Sequence, residues 1–313
     1  MLIPTMIGLL IFRLGPLLGS LAISFTDWNM LTSATFVGLA NYKEMFHNPS
    51  FIQTAKNTFI FSLIYVLGVM FLGLSLALLL NKKAKGIGFF RGAFYSPVVT
   101  SAVAVGIVWS WILSPRIGIL NQLLLALGLN EVYWLGDPKL ALPVVAVIQV
   151  WKMTGYYMIL FLAGLQDIPD TIREAAIVDG ANGRQRFFKV TLPLLSHMTF
   201  FVLNVAIIDS FKNFEIIYAM TKGGPQNATN TLVYDVYING FIHFRLGYAS
   251  AVSYFLLACV AIITIINFIV KKRWVKHHIE GWPTNETDSY SHLLCRPYCG
   301  WHHYLIPLPL DVA

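Results

Sequence analysis

Five charged residues stand inside stretches that are otherwise apolar: Arg13, Lys152, Asp209, Lys212 and Glu215. A charge at the centre of a helix in lipid costs about 2.5–3.5 kcal/mol on insertion scales, so each needs a partner or water. Asp209, Lys212 and Glu215 follow one another at i,i+3, which predicts a charged stripe on one helix face. Trp151, Tyr156 and Tyr157 surround Lys152, and Asn213 follows Lys212. A solute rich in hydroxyls stacks on aromatic faces and bonds to polar side chains, and these residue types suit it. On this reading Trp151, Tyr156, Asp209, Lys212, Asn213 and Glu215 line a solute pathway. The competing reading is an internal salt network between two helices, or snorkelling of long side chains, with the aromatics in an interfacial belt. Arg13, close to Pro16, reads as snorkelling or paired.

A second pattern lies between two of the apolar runs, over residues 166–193. Thr171-x-x-Glu174 after Pro169 has the form of a capping box, which predicts a helix over about 172–179. Gly180 is a natural stop, because glycine takes the left-handed cap without a Cβ penalty. Asn182-x-x-Gln185 can cap a second helix, ending near Val190. Two short helices therefore meet at a corner on Gly180, and Ala175 and Ala176 keep the surface low enough for another protein to approach. A plain connector between antiparallel helices needs only about 2–8 residues. The length and patterning of this segment suggest a docking element; the bland alternative is a solvated hairpin that only stabilises the bundle.

The elements that must hold these residues follow from composition. The chain has 313 residues, 57% hydrophobic and 12% charged, with mean hydropathy +0.65. Soluble domains carry about 25% charged residues, so an ordinary soluble enzyme is excluded, and so is a disordered chain. Six apolar runs are legible, at about 1–25, 58–80, 92–113, 140–165, 194–220 and 246–270. Each is long enough to cross about 30 Å of hydrocarbon as a helix. A helix is required because unpaired backbone groups in lipid are too costly. The period-two alternation of barrel strands is lacking. The first run has neither the basic leader nor the small-residue cleavage site of a signal peptide.

Charge in the loops sets the orientation. Lys82, Lys83, Lys85, Arg91, Arg173, Arg184, Arg186, Lys189, Lys271, Lys272, Arg273 and Lys276 fall on one side. Lys43, Lys56, Arg116, Lys139, Lys222 and Arg245 fall on the other. The richer side, with 166–193 and both termini, is expected to be cytoplasmic. The net charge of +7 is thus a topology signal rather than a sign of nucleic acid. On the outer side, residues 119–129 read as a surface helix and Lys222-Gly223-Gly224-Pro225 as a turn.

The run Glu174-Ala175-Ala176-x-x-Asp179-Gly180-Ala181, then Phe187, then Leu192-Pro193, resembles the EAA loop of permease subunits of binding-protein-dependent ABC importers. It is most similar to the carbohydrate-uptake branch, and to the first of its two permease types. Further similarity lies in Phe25-Thr26-Asp27-Trp28-Asn29, Trp134-Leu135-Gly136-Asp137-Pro138, Gly223-Gly224-Pro225 and Leu246-Gly247-Tyr248-Ala249-Ser250-Ala251, and fades after about Lys276. The resemblance implies an all-α membrane protein, a six-span helical bundle with a cytoplasmic two-helix coupling loop. The permease domain would cover residues 1–276, followed by a poorly structured tail, 277–313. It further implies a second permease subunit, two ATP-binding subunits, and an extracytoplasmic solute-binding protein that delivers a carbohydrate. The setting would be a bacterial or archaeal inner membrane. Glu174 would make polar contacts to an ATPase subunit, Ala175 and Ala176 would pack in its groove, and Gly180 would set the bend. The sequence has no Gly-x-x-x-x-Gly-Lys-[Ser/Thr] phosphate loop, so ATP hydrolysis is expected on separate subunits, with no catalytic residue or cofactor here.

His292-x-x-Cys295-x-x-x-Cys299-x-x-His302-His303 superficially resembles a zinc site, but its spacing fits no common finger and no metal is expected. Two other solutes fit the same machinery, glycerol-3-phosphate and a polyol. An autonomous secondary transporter would normally show half-repeats and broken helices. A membrane enzyme would need catalytic polar groups clustered on one cavity.

Overall fold

The computed structural model describes residues 2–82 and 85–279. The histidines and cysteines of the tail, and its boundary at 277–313, lie almost wholly outside the described residues. Four helices are long and apolar enough to cross a membrane by themselves: α1 (Ile3–Ser24), α3 (Pro49–Leu80), α7 (Ala141–Gln166) and α13, whose apolar part is Leu246–Lys271. Two more crossings are bent pairs. α4 (Ile87–Val99) and α5 (Ala102–Ile112) meet at 94°, and α9 (Gly183–Leu194) and α10 (Ser196–Phe211) meet at 67°. Counting each pair as one crossing gives the expected six-span, all-α bundle. Shorter helices are α2 (Ala40–His47), α6 (Ile119–Ala126), α8 (Asp170–Val178), α11 (Glu215–Met220) and α12 (Leu232–Ile242). A two-residue hairpin pairs Thr26 with Phe36 and Asp27 with Thr35 after α1.

α3 starts nine residues before the apolar run that announced it. Asn48 caps it by accepting from the Ser50 amide at 3.0 Å, with Pro49 in the first turn, where its missing N–H costs nothing. Its polar first turns escape a hydropathy reading because their partners are distant in sequence. The Asn57 amide donates to the carbonyls of Asn227 (2.9 Å) and Asn230 (3.1 Å). Thr58 Oγ1 accepts from the Leu232 amide at 2.9 Å. These bonds are wholly or partly buried and hold the loop 221–231 onto the helix.

α3 and α7 form the centre of the core. Phe61, Tyr65 and Val69 meet Val145, Ala146, Met158 and Phe161, all fully buried. Small residues bring the two backbones together, as in membrane bundles generally. A Cβ on Gly68 would lie 2.7 Å from a Val150 methyl, and one on Gly73 would lie 2.9 Å from Tyr157 Cβ. α10 adds Val202 and Ala206, and α11 adds Ile216 and Ile217. Phe71, Leu63, Leu67 and Leu79 point outward from α3 and stay exposed, as a lipid- or partner-facing surface requires.

Three expectations need correction. Residues 92–113 are not one continuous helix. Pro97 removes a backbone donor in the last turns of α4, and the chain turns at Thr100–Ser101. The 94° bend is fixed by α7, where Gly155 lets the helix press onto the Phe94 carbonyl. Residues 194–220 are likewise interrupted. α10 ends at Phe211 and α11 begins at Glu215, so Asp209, Lys212 and Glu215 do not share one helical face. Finally, Thr171 caps nothing: α8 begins at Asp170 with Pro169 at its N-cap. Thr171 is therefore already inside the first turn. Arg13 sits in a π-helical turn of α1, Leu10–Leu14, and is exposed.

Candidate functional site

The segment between α7 and α10 is built by local chemistry. Gly180 takes φ +75°. Its amide donates to the Ile177 carbonyl and that of Ala181 to the Ala176 carbonyl, both at 3.0 Å. This is the paired bonding of a Schellman cap. Two residues on, Asn182 and Gln185 exchange side-chain and backbone bonds, each 2.9 Å, in the expected capping box. The second helix carries a π turn at Phe187–Thr191 before Leu192 and Pro193, which are half-buried and precede the 67° bend into α10.

α8 has two distinct faces. Glu174, Ala175, Ile177, Val178, Asp179 and Gly180 are exposed, with Val178 at 86%. The opposite face turns toward the bundle. Ala176 and Phe187 line a cavity of about 340 Å³ with Leu78, Leu165 and Arg173. Ala181 is half-buried. Arg173, which the sequence did not single out, donates to the Leu165 carbonyl at 2.8 Å and lies 3.9 Å from Asp170. A cation on the orphan carbonyls at a helix C-terminus is favourable, so α8 is tied to the C-terminal end of α7. Arg91 does the same for α3, donating to Leu80 at 2.9 Å.

Of the polar residues inside the spans, Lys152 is 5% exposed and donates to the Val98 carbonyl at 3.1 Å. That carbonyl belongs to the last turn of α4, where the bend leaves acceptors without helical partners. Glu215 is close enough to act on Lys152 electrostatically. Asp209 accepts from the Tyr157 hydroxyl at 3.0 Å, and Tyr65 donates to that hydroxyl at 3.4 Å. Asn213 folds back to the Asp209 and Ser210 carbonyls at 3.1 and 3.3 Å, closing the end of α10. Lys212 and Glu215 are exposed at the break. Tyr156 packs edge-on to Tyr157 at 5.2 Å, and Trp151, 45% exposed, edge-on to Trp109 at 5.4 Å. The structure thus joins Asp209 and Asn213, with Tyr156 against Asp209's partner Tyr157, but places Trp151 in a separate aromatic pair.

An aromatic group beside the break was missed. Phe214 lies 5.5 Å from Tyr218, 6.1 Å from Tyr234 and 5.1 Å from Tyr237, and Tyr237 lies 5.9 Å from Phe241. Burial, then the neighbouring Tyr237 and Tyr218, pushes the Tyr234 hydroxyl above its ordinary range. The i,i+3,i+7 spacing of Tyr234, Tyr237 and Phe241 was the available signal. Among the described residues no group of three or more His, Cys, Asp or Glu is placed to hold a metal.

Residues 69–276 match the family described as the binding-protein-dependent transport system inner membrane component. The chain is 38% identical over 279 residues to the probable ABC transporter permease protein YesP of Bacillus subtilis, covering 88% of this chain and 90% of that one. It is 38% identical over 245 residues to the sn-glycerol-3-phosphate transport system permease protein UgpA of Agrobacterium fabrum, covering 77% and 83%. The sulfoquinovosyl glycerol transport system permease protein SmoG of the same organism is 35% identical over 233 residues, covering 74% and 76%. Among solved structures, a bacterial alginate ABC transporter, crystallised with its alginate pentasaccharide-bound periplasmic protein, superposes with a TM-score of 0.77 at 26% identity. That match covers 87% of this chain and 93% of that one. Six crossings, a pair of short helices hinged on glycine and similarity over most of the length agree: the chain belongs to the binding-protein-dependent inner-membrane components, the permease subunits of ABC importers.

Proposed function

We propose that this permease subunit imports a sugar or oligosaccharide, paired with a second permease, driven by two ATP-binding subunits and supplied by an extracytoplasmic binding protein. The observation that carries the coupling role is the outer face of α8. Ile177 and Val178 are 54% and 86% exposed beside Glu174 and the Gly180 corner. An apolar patch rimmed by polar residues marks a protein contact. ATP-driven closure of the ATPase pair would move α8, and the Arg173–Leu165 bond would pass that motion to α7. Glu174 and Asp179 supply polar contacts to the ATPase subunit, and Ala175 its close approach; Ala176, Ala181, Phe187, Leu192 and Pro193 support the loop from the bundle side.

The pathway is assigned to the break between α10 and α11. There Asp209, Lys212, Asn213 and Glu215 lie beside the half-exposed Tyr218 and the Phe214 cluster, an amphipathic surface fit for hydroxylated solute. Trp151 and Tyr156 are placed on its flank. Relatives named for sulfoquinovosyl glycerol and alginate support a carbohydrate. The UgpA relative supports sn-glycerol-3-phosphate as the second reading. The richer Lys and Arg content of the loops around α8 supports a cytoplasmic side there, in a bacterial or archaeal inner membrane.

Proteoliposomes holding both permeases and the ATPase subunits, with binding protein outside, test the proposal. Labelled sugar should accumulate only with ATP inside and binding protein present. Uptake by this chain alone, or accumulation without ATP, would refute it. Preferential uptake of sn-glycerol-3-phosphate would move the solute to the second reading.

A further inference from the structure

A polar cavity of about 230 Å³ lies on the side of the bundle opposite α8. The start of α3, the loop before α12, α12 itself and the start of α13 enclose it. Two of its side chains are more than nine-tenths buried and each leaves one oxygen without a hydrogen bond: Asp235 Oδ2 and Asn230 Oδ1. Their remaining atoms are committed. The Asn230 amide donates to Thr54 Oγ1 at 3.0 Å and to Asp235 Oδ1 at 3.2 Å. The nearby Asn239 amide donates to the Asp235 main-chain carbonyl at 3.0 Å. With the carboxyl ionised, both open atoms are acceptors, so a group that only accepts hydrogen bonds cannot fill the space between them.

A buried carboxylate needs a counter-charge or several donors. Arg245, whose guanidinium lies 4.8 Å from the Tyr248 ring centroid, is already neutralised by Glu44 at 2.7 Å. His243 lines the cavity and acts on the carboxylate only at a distance. Other polar side chains lining it are Asn48, Ser50, Asn227, Asn239 and Tyr248. One carboxylate among amide and hydroxyl oxygens is hard-cation chemistry. Ca²⁺ takes six to eight such ligands at flexible geometry, and sites with few charges bind it at about 10⁻⁴–10⁻³ M.

We propose that this cavity is a low-affinity Ca²⁺ site, with Asp235 and Asn230 as its inner ligands, pinning the outer loop to the start of α3. The site is independent of which solute the importer carries.

The test uses the assembled transporter in detergent after chelation. Terbium is added and its luminescence is excited through protein aromatics; Tyr248 lines the cavity. Wild type should give a signal displaced by Ca²⁺ in the millimolar range and not by equal Mg²⁺ or Na⁺. Asp235→Asn should weaken Ca²⁺ competition at least tenfold. Thermal unfolding supplies a readout that a merely structural role would not move. Added Ca²⁺ should raise the unfolding midpoint of wild type and leave that of Asp235→Asn unchanged. If Asp235→Asn does not assemble, Asn230→Ala must weaken competition instead. The proposal is overturned by a wild type without Ca²⁺-displaceable signal, which would mean water only. It is equally overturned by unchanged competition in whichever variant assembles, or by displacement with Na⁺ as effective as with Ca²⁺.

Discussion

Replacing Gly180 should uncouple the importer by a conformational cost alone. Its φ of +75° lies in the left-handed region, and a Cβ built there meets nothing within 4 Å. No collision contributes, so the penalty is that of the backbone conformation, about 1–2 kcal/mol for an L-residue. That is about a 5–30-fold loss in the population holding the corner. The series should be graded. Asn tolerates the left-handed cap and should keep most transport, Ala should lose several-fold, and Val should fall furthest. Pro, whose φ is locked near −65°, should abolish transport. The assay is ATP-dependent uptake in proteoliposomes, with the amount of assembled complex measured by size exclusion to separate coupling from insertion. Uptake of Gly180→Val within a factor of two of wild type at equal assembly would refute the reasoning. So would an Asn variant as inactive as the Val variant, because the corner's handedness would then not be what matters.

Three further outcomes follow from the same geometry. Glu174→Lys reverses an exposed charge on the outward face of α8 and should abolish uptake while leaving the subunit inserted; normal uptake would remove the coupling assignment. Gly155→Ala drives a methyl into the Phe94 carbonyl and should cost about 1–3 kcal/mol by overpacking, seen as a lower melting midpoint of the complex; an unchanged midpoint would mean α7 does not press on α4. Asp209→Asn and Lys212→Met should each change the apparent affinity or rate of uptake, and unchanged kinetics in both would take the pathway away from the α10–α11 break.

What the sequence disclosed was local chemistry, and what it concealed was contact across the bundle. The corner at Gly180 and the box at Asn182 and Gln185 are settled within six residues of chain, so both could be read directly. The Thr171-x-x-Glu174 pattern misled because Pro169 can start the helix two residues earlier. Pro97 announced some distortion, yet the 94° bend depends on Gly155 and Lys152, more than fifty residues away. The early start of α3 was invisible to hydropathy, since Asn57 and Thr58 find their partners at Asn227, Asn230 and Leu232. The charged stripe failed because Asn213 turns back to close its own helix. The aromatic cluster around Phe214 joins two elements separated by the Gly223 turn, and only folding brings its rings together.

The uninterrupted length of α3 has a mechanical consequence. Its 32 residues make a strut of about 48 Å at about 1.5 Å per residue, well beyond the hydrocarbon it crosses. One end is bonded through Asn57 and Thr58 to Asn227 and Leu232, and the other hands its final carbonyl to Arg91. A rod of that length rocked by about 5° displaces its ends by about 4 Å relative to each other. Tilting this single strut would therefore carry a displacement from the Arg91 end of the bundle to the 221–231 loop without any relay of side chains between them.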